Sequence, residues 1–125
     1  MIPFKDSIPS RRFPFVTLIL IITNTAAFVY ELSLPWENLG NLIDLYGVVP
    51  FKLQLVANNP LGVLREMLVS LITSTLLHAG FLHLLGNMWY LWIFGDNVED
   101  RMGPIRFLLF YLSCGVVASV THIIF

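Results

Sequence analysis

Three stretches of this 125-residue chain contain no Asp, Glu, Lys or Arg: Phe13–Tyr30, Met67–Gly95 and Phe107–Phe125, of 18, 29 and 19 residues. A helix crossing roughly 30 Å of hydrocarbon needs about 20 mainly apolar residues, and a run of about 18 or more with few charges reads as a span. Three spans fit, with little chain left over. The composition agrees, since 57% of residues are hydrophobic and 12% charged, whereas soluble domains sit near about 45–50% and about 25%. The expected fold class is all-α and integral to the membrane.

The charge balance excludes a nucleic-acid role. Net charge is −1 and the seven Lys and Arg occur singly or as one pair, so there is no basic stripe to meet phosphates. Cys114 is the single cysteine, which leaves no internal disulfide and no zinc-type cluster. Within the third apolar run it is expected to be a small buried apolar residue.

Residues 1–12 form a short arm with Lys5, Arg11 and Arg12 against Asp6. A secretory signal peptide shares that basic start, but its apolar core is about 7–15 residues and ends at a small-residue cleavage site. Here the run is longer and Thr25-Ala26-Ala27 imitates such a site only weakly, so a retained first helix over about 13–31 is expected. Short cytoplasmic segments are enriched in Lys and Arg. The arm carries three and Asp96–Arg106 two, against Lys52 and Arg65 in the 36 residues Glu31–Glu66, which places the N-terminus in the cytoplasm.

The connection over about 32–78 is nearly as apolar as a protein core. Leu39, Leu42, Ile43 and Tyr46 recur at helical spacing opposite Asp44, as in a short helix half sunk among the headgroups. Pro35, Gly40, Gly47, Pro50, Pro60 and Gly62 cut the segment into short pieces. The second span is expected over about 81–95, after a bend at Ala79-Gly80, and ends at Gly95 where Asp96 opens a charged turn. The third, over about 104–125, has Pro104 in its first turn.

Polar groups inside apolar runs are costly in lipid and are functional candidates by default. His83 and Asn87 lie four apart, hence on one helical face, and His78 is near enough to close over them. Such a pair offers two directional donors, which suits a developing oxyanion. It equally suits hydrogen bonds that pin neighbouring helices, and spacing leaves both readings open. A metal site lacks the i,i+4 histidine pair and any nearby carboxylate, so none is expected, nor any cofactor. Glu99 and Arg101 belong either to a solvated charge run or to a structural turn in which Glu99 accepts donors at the ends of the second and third helices. His122, beside Thr121, reads as an interior residue without an identified partner.

The string from Thr73 to Met88, with His78-x4-His83-x3-Asn87, followed by Gly95-x3-Glu99-x-Arg101-x-Gly103, closely resembles the rhomboid family of intramembrane serine proteases. The similarity covers about Leu71–Gly115 and continues through Phe107-Leu108-Leu109-Phe110-Tyr111-Leu112 to Gly115. It implies a rhomboid-like helical bundle that hydrolyses peptide bonds of transmembrane protein substrates within the lipid bilayer by a serine and histidine dyad. His83 and Asn87 then match the oxyanion-stabilising side chains and His78 a supporting one. Gly95, Glu99, Arg101 and Gly103 match a structural motif, and Leu39–Phe51 resembles the family's half-immersed loop.

Two departures stand out. Val69 and Ser70 occupy positions where the family often has Trp-Arg. No glycine here is followed two residues later by serine, so the Gly-x-Ser nucleophile and the later histidine base are expected outside this chain. The apolar finish Ile123-Ile124-Phe125 is accordingly expected to be a cut through a longer protein, leaving three transmembrane helices that are inactive alone. The rival readings are a rhomboid-like pseudoprotease that binds membrane proteins and a small three-helix assembly subunit. A bacterial inner membrane is the expected location.

Overall fold

The computed structural model describes residues 10–47, 59–78 and 80–124. They form five helices in chain order: α1 (Phe15–Ser33), α2 (Trp36–Tyr46), α3 (Pro60–Thr73), α4 (Phe81–Met102) and α5 (Pro104–Ile124). No strand occurs among the described residues. Most of the N-terminal arm, the segment 48–58 with Pro50 and Lys52, Ala79, and the His122 side chain lie outside them.

The first turn of any helix leaves backbone N–H groups without helical partners, and in α1 Pro14 stands at the cap position with no side-chain oxygen to receive them. The groups are nevertheless all accounted for. Phe15 donates to the Phe13 carbonyl at 3.0 Å and Leu18 to that of Pro14 at 3.1 Å. Val16 and Thr17 donate to the Glu99 carboxylate, at 3.0 and 2.8 Å. One helix is thus capped by an acid from another, and the negative charge sits where the α1 dipole favours it.

The buried face of α1 is Thr17, Leu20, Asn24, Phe28 and Glu31, spaced by three and four residues as one helical stripe requires. Its polar members recur every seven residues. Thr17 meets Glu99 of α4 and Asn24 donates to the Tyr111 hydroxyl of α5 at 3.2 Å, while Glu31 is buried near the end of the helix. Ile19, Ile22, Val29 and Leu32 face outward. Leu20, Leu91 and Phe107 form the apolar centre where α1, α4 and α5 meet.

α3 begins on Asn59, whose side chain accepts the Gly62 N–H at 3.2 Å, with Pro60 in the first turn, a pairing that suits a helix start. The Thr73 hydroxyl ties its end to the Tyr46 carbonyl of α2 at 2.6 Å. Ser74 meets Ser119 of α5 at 2.9 Å, and a Cβ on Gly115 would run into the Thr75 methyl. α2 covers the expected short helix and has no buried residue.

Three expectations need correction. The second long helix does not stop at Gly95: α4 continues through Asp96–Arg101 to Met102. Charged residues end an apolar run without ending a helix, and the stop comes at Gly103, where φ is +82° and only glycine is at ease. Glu99 accepts donors at the start of α1, not at the ends of the second and third helices. Cys114 is exposed on α5, because its side of that helix packs against none of the described neighbours.

Two described helices, Phe15–Ser33 and the Pro104–Thr121 part of α5, are long and apolar enough to cross a membrane. α4, which contains the second expected span, is not among them, since His83, Asn87, Asp96 and Asn97 interrupt its apolar character.

Candidate functional site

The site forms where the segment after α3 turns into α4. Ser74–Leu76 make a turn closed by Leu76 N–H to the Thr73 carbonyl at 3.0 Å and Leu77 N–H to that of Ser74 at 3.3 Å. His78 follows and is buried. Its ring stands edge-on to Phe28 of α1, with centroids 6.3 Å apart, and edge-on to His83 of α4 at 5.6 Å. The His78 ring thus lies against His83 at the start of α4.

His78 Nδ1 lies 3.0 Å from the Leu76 carbonyl. A carbonyl can only accept, so Nδ1 carries the proton and Nε2 is left as an acceptor. Burial pushes the His78 imidazole below the usual histidine range. The Leu76 carbonyl opposes that shift, and the proximity of His83 adds to it.

His83 and Asn87 stand one turn apart in the first half of α4, both exposed. Neither is buried against a described helix. No group of three or more potential metal-ligating side chains occurs among the described residues. Ser113 donates to its own helix at the Leu109 carbonyl, 2.7 Å away, and Ser119 is engaged with Ser74. Neither of these serine hydrogen bonds runs to a histidine.

The other motif lies at the far end of α4, about 24 Å from His83 at the helical rise. Gly95 and Glu99 both meet Thr17: a Cβ on Gly95 would lie 2.8 Å from the Thr17 methyl, and Glu99 is buried beneath the same residue. Arg101 is exposed in the last turn of α4, and Gly103 follows it as the cap. A cavity of about 190 Å³ opens here, lined by Arg12, Phe13, Asp96 and Asp100 among others. Ser70 is buried and Val69 exposed, where the family pattern has Trp-Arg.

Glu31 is the residue that sequence reasoning passed over. It marks the end of a charge-free run and reads as the start of a loop, yet it is only 7% exposed. The seven-residue spacing of Thr17, Asn24 and Glu31 was the available signal.

Residues 65–125 match the rhomboid domain family model. The chain is 34% identical over 105 residues to YdcA, a candidate rhomboid protease of Bacillus subtilis (strain 168), covering 67% of this chain and 53% of that protein. It is 42% identical over 55 residues to the rhomboid protease GluP of the same organism, covering 44% of this chain and 11% of GluP. Over 55 residues it is 44% identical to the mitochondrial RHOMBOID-like protein 6 of Arabidopsis thaliana, covering 44% and 18%. The chain thus spans about half the length of YdcA and under a fifth of the other two. No solved structure matches it at a comparable level. An all-helical membrane fold, with this motif on α4 and these relatives, defines its class: the chain belongs to the rhomboid family.

Proposed function

We propose that this chain is part of an intramembrane serine endopeptidase that cleaves transmembrane protein substrates, with His83 and Asn87 as oxyanion donors and His78 in support. The observation that carries the reading is the placement of these residues: two exposed donors on one turn of α4, backed by a buried neutral histidine. Preorganised donors aimed at a developing oxyanion are among the largest contributions to acyl-transfer catalysis. His78 supplies such preorganisation by filling the space between Phe28 and His83.

In this reading residues 13–125 are a partial rhomboid domain, with 1–12 as an arm on the cytoplasmic side of a bacterial inner membrane. The chain crosses the membrane at α1, at the apolar part of α4 and at α5. Lys5, Arg11 and Arg12 support that orientation. No Gly-x-Ser occurs in the 125 residues, so the nucleophile and its histidine base come from chain outside them. The 125 residues by themselves hydrolyse nothing.

The test is labelling of the full-length protein by a serine-reactive fluorophosphonate, together with cleavage of a single-span membrane substrate. Labelling and cleavage that both vanish when one Gly-x-Ser serine becomes alanine support the proposal. A full-length protein with neither signal is a binding protein on the same fold.

A further inference from the structure

We propose that the cavity where α1, α4 and α5 meet binds the headgroup of an ethanolamine phospholipid, with its phosphate at Arg12 and its ammonium at Asp96 and Asp100. The inference needs only the membrane setting of the chain and is independent of the proteolytic reading. The cavity holds about 190 Å³ and is lined by Arg12, Phe13, Phe15, Asp96, Asp100 and Pro104 among others. A water molecule takes about 30 Å³ of liquid, so a group several waters in size fits. Phe15 and Pro104 are the first residues of α1 and α5, the two helices long and apolar enough to cross a membrane. The cavity therefore opens at the depth where both enter the bilayer, among the headgroups.

The charges on its walls suit a cation and an anion held together. Asp96 and Asp100 stand one turn apart on α4, where like charges repel, and near the end of a helix whose dipole disfavours acids. Glu99 between them is satisfied, since both of its oxygens accept donors from the first turn of α1. The two aspartates are half-buried. Asp96 accepts the Asn97 N–H at 2.8 Å and Asp100 the Arg11 N–H at 3.1 Å, and among the described residues each has one oxygen left for a donor. Arg12 lines the same cavity, yet its guanidinium makes no ion pair or hydrogen bond among the described residues. Opposite charges thus share the cavity without touching, a separation that a zwitterion bridges and a single ion does not.

The surroundings select a lipid over a soluble zwitterion. Phe13 and Phe15 form an edge-on pair with centroids 4.7 Å apart. Further along the helices, Ile19 on α1 and Ile105, Leu108 and Leu109 on α5 are exposed, offering acyl chains an apolar path. An anionic headgroup meets two carboxylates with nothing to neutralise them. A choline headgroup carries the right charges, but its quaternary nitrogen has no N–H to donate.

The experiment measures lipid retention by the full-length protein in detergent, using native mass spectrometry. The probes are phosphatidylethanolamine, its N-methyl and N,N-dimethyl derivatives, phosphatidylcholine and phosphatidylglycerol, all with the same acyl chains. One phosphatidylethanolamine is expected to be held, with stepwise weakening as methyl groups replace N–H donors. The loss on going to phosphatidylcholine is expected to be roughly tenfold, as for a hydrogen bond to a charged group, and phosphatidylglycerol is expected to bind weakest. This series uses wild-type protein, so no folding defect enters it. Equal retention of the ethanolamine and choline lipids, or a preference for phosphatidylglycerol, overturns the proposal.

Variants then place the two ends of the headgroup. Asp96→Asn combined with Asp100→Asn keeps an acceptor for the Asn97 and Arg11 amides and removes both charges, and it is expected to abolish the preference for ethanolamine over choline. Arg12→Gln is expected to weaken both lipids alike and leave their ratio unchanged. A double variant that keeps the wild-type preference, or an Arg12 variant that retains both lipids at the wild-type level, overturns the assignment.

Discussion

Glu99 Oε2 receives both the backbone N–H and the hydroxyl of Thr17, each at 2.8 Å, across a sequence separation of 82 residues. The carboxylate is only 5% exposed and takes the place of a local cap on α1. Glu99→Ala leaves the buried Thr17 amide and the part-buried Val16 amide without acceptors, and an unsatisfied buried donor costs about 1–3 kcal/mol. The expected result is a clear loss of thermal stability, with Glu99→Gln intermediate because it keeps one acceptor and loses the charge. Thermal unfolding of the full-length protein in detergent measures it, and an Ala variant as stable as the wild type contradicts the capping role.

Gly95 lets α4 approach Thr17. An added Cβ lies 2.8 Å from the Thr17 methyl and 3.0 Å from its hydroxyl, and overpacking of this kind costs typically about 1–3 kcal/mol. Gly95→Ala is expected to destabilise, and Thr17→Ser, which removes the methyl and keeps the hydroxyl, is expected to restore part of the loss. The double-mutant cycle reports this coupling directly. Simple additivity of the two changes would show that the clash is relieved elsewhere.

Asn87 separates the two readings that spacing leaves open. If its amide donates in the transition state, Asn87→Ala in the full-length protein lowers kcat by about 10²–10³-fold with little change in unfolding temperature. An unchanged rate per labelled serine, accompanied by lower stability, assigns Asn87 to helix packing instead.

His78 makes stability depend on pH in a defined direction. Burial lowers its folded-state pKa from 6.5, so between the two values the unfolded chain binds more protons, and stability rises with pH wherever that holds. Its contribution is fully present above the unfolded value and is lost as pH falls through 6.5 toward the folded one. Unfolding of wild type and His78→Gln across mildly acidic pH checks this. The variant is expected to show a flatter profile, and identical slopes rule the contribution out.

How far the sequence reaches can be judged residue by residue. Charge-free runs locate α1 and α5, and helical spacing at Leu39–Tyr46 locates α2. The contact between His78 and His83 is legible because the chain between His78 and α4 is too short to separate them. The partner of Glu99 is not legible, since it sits at the other end of the chain and nothing local distinguishes Val16 and Thr17 as donors. The extension of α4 beyond Gly95 is missed because a loss of hydrophobicity mimics a turn, although backbone hydrogen bonding continues through it. Glu31 is missed for a related reason: a charge at the edge of an apolar run resembles a loop residue until the opposite helix face is known.

A single residue, Gly103, separates Met102 of α4 from Pro104 of α5. With φ at +82° and ψ at 155°, it occupies a region essentially closed to residues bearing a Cβ. The chain there has only two soft torsions, so α5 behaves as a lever arm pivoted on one residue. Gly115 lies about 18 Å along that arm, and a rotation of about 10° at the pivot swings it by about 3 Å. Thr75 tolerates almost no such swing, because it already touches the bare Cα of Gly115. Gly103 thus sets the direction in which α5 leaves α4, and the contacts of Gly115 with Thr75 and of Ser119 with Ser74 hold its register against the segment that carries His78.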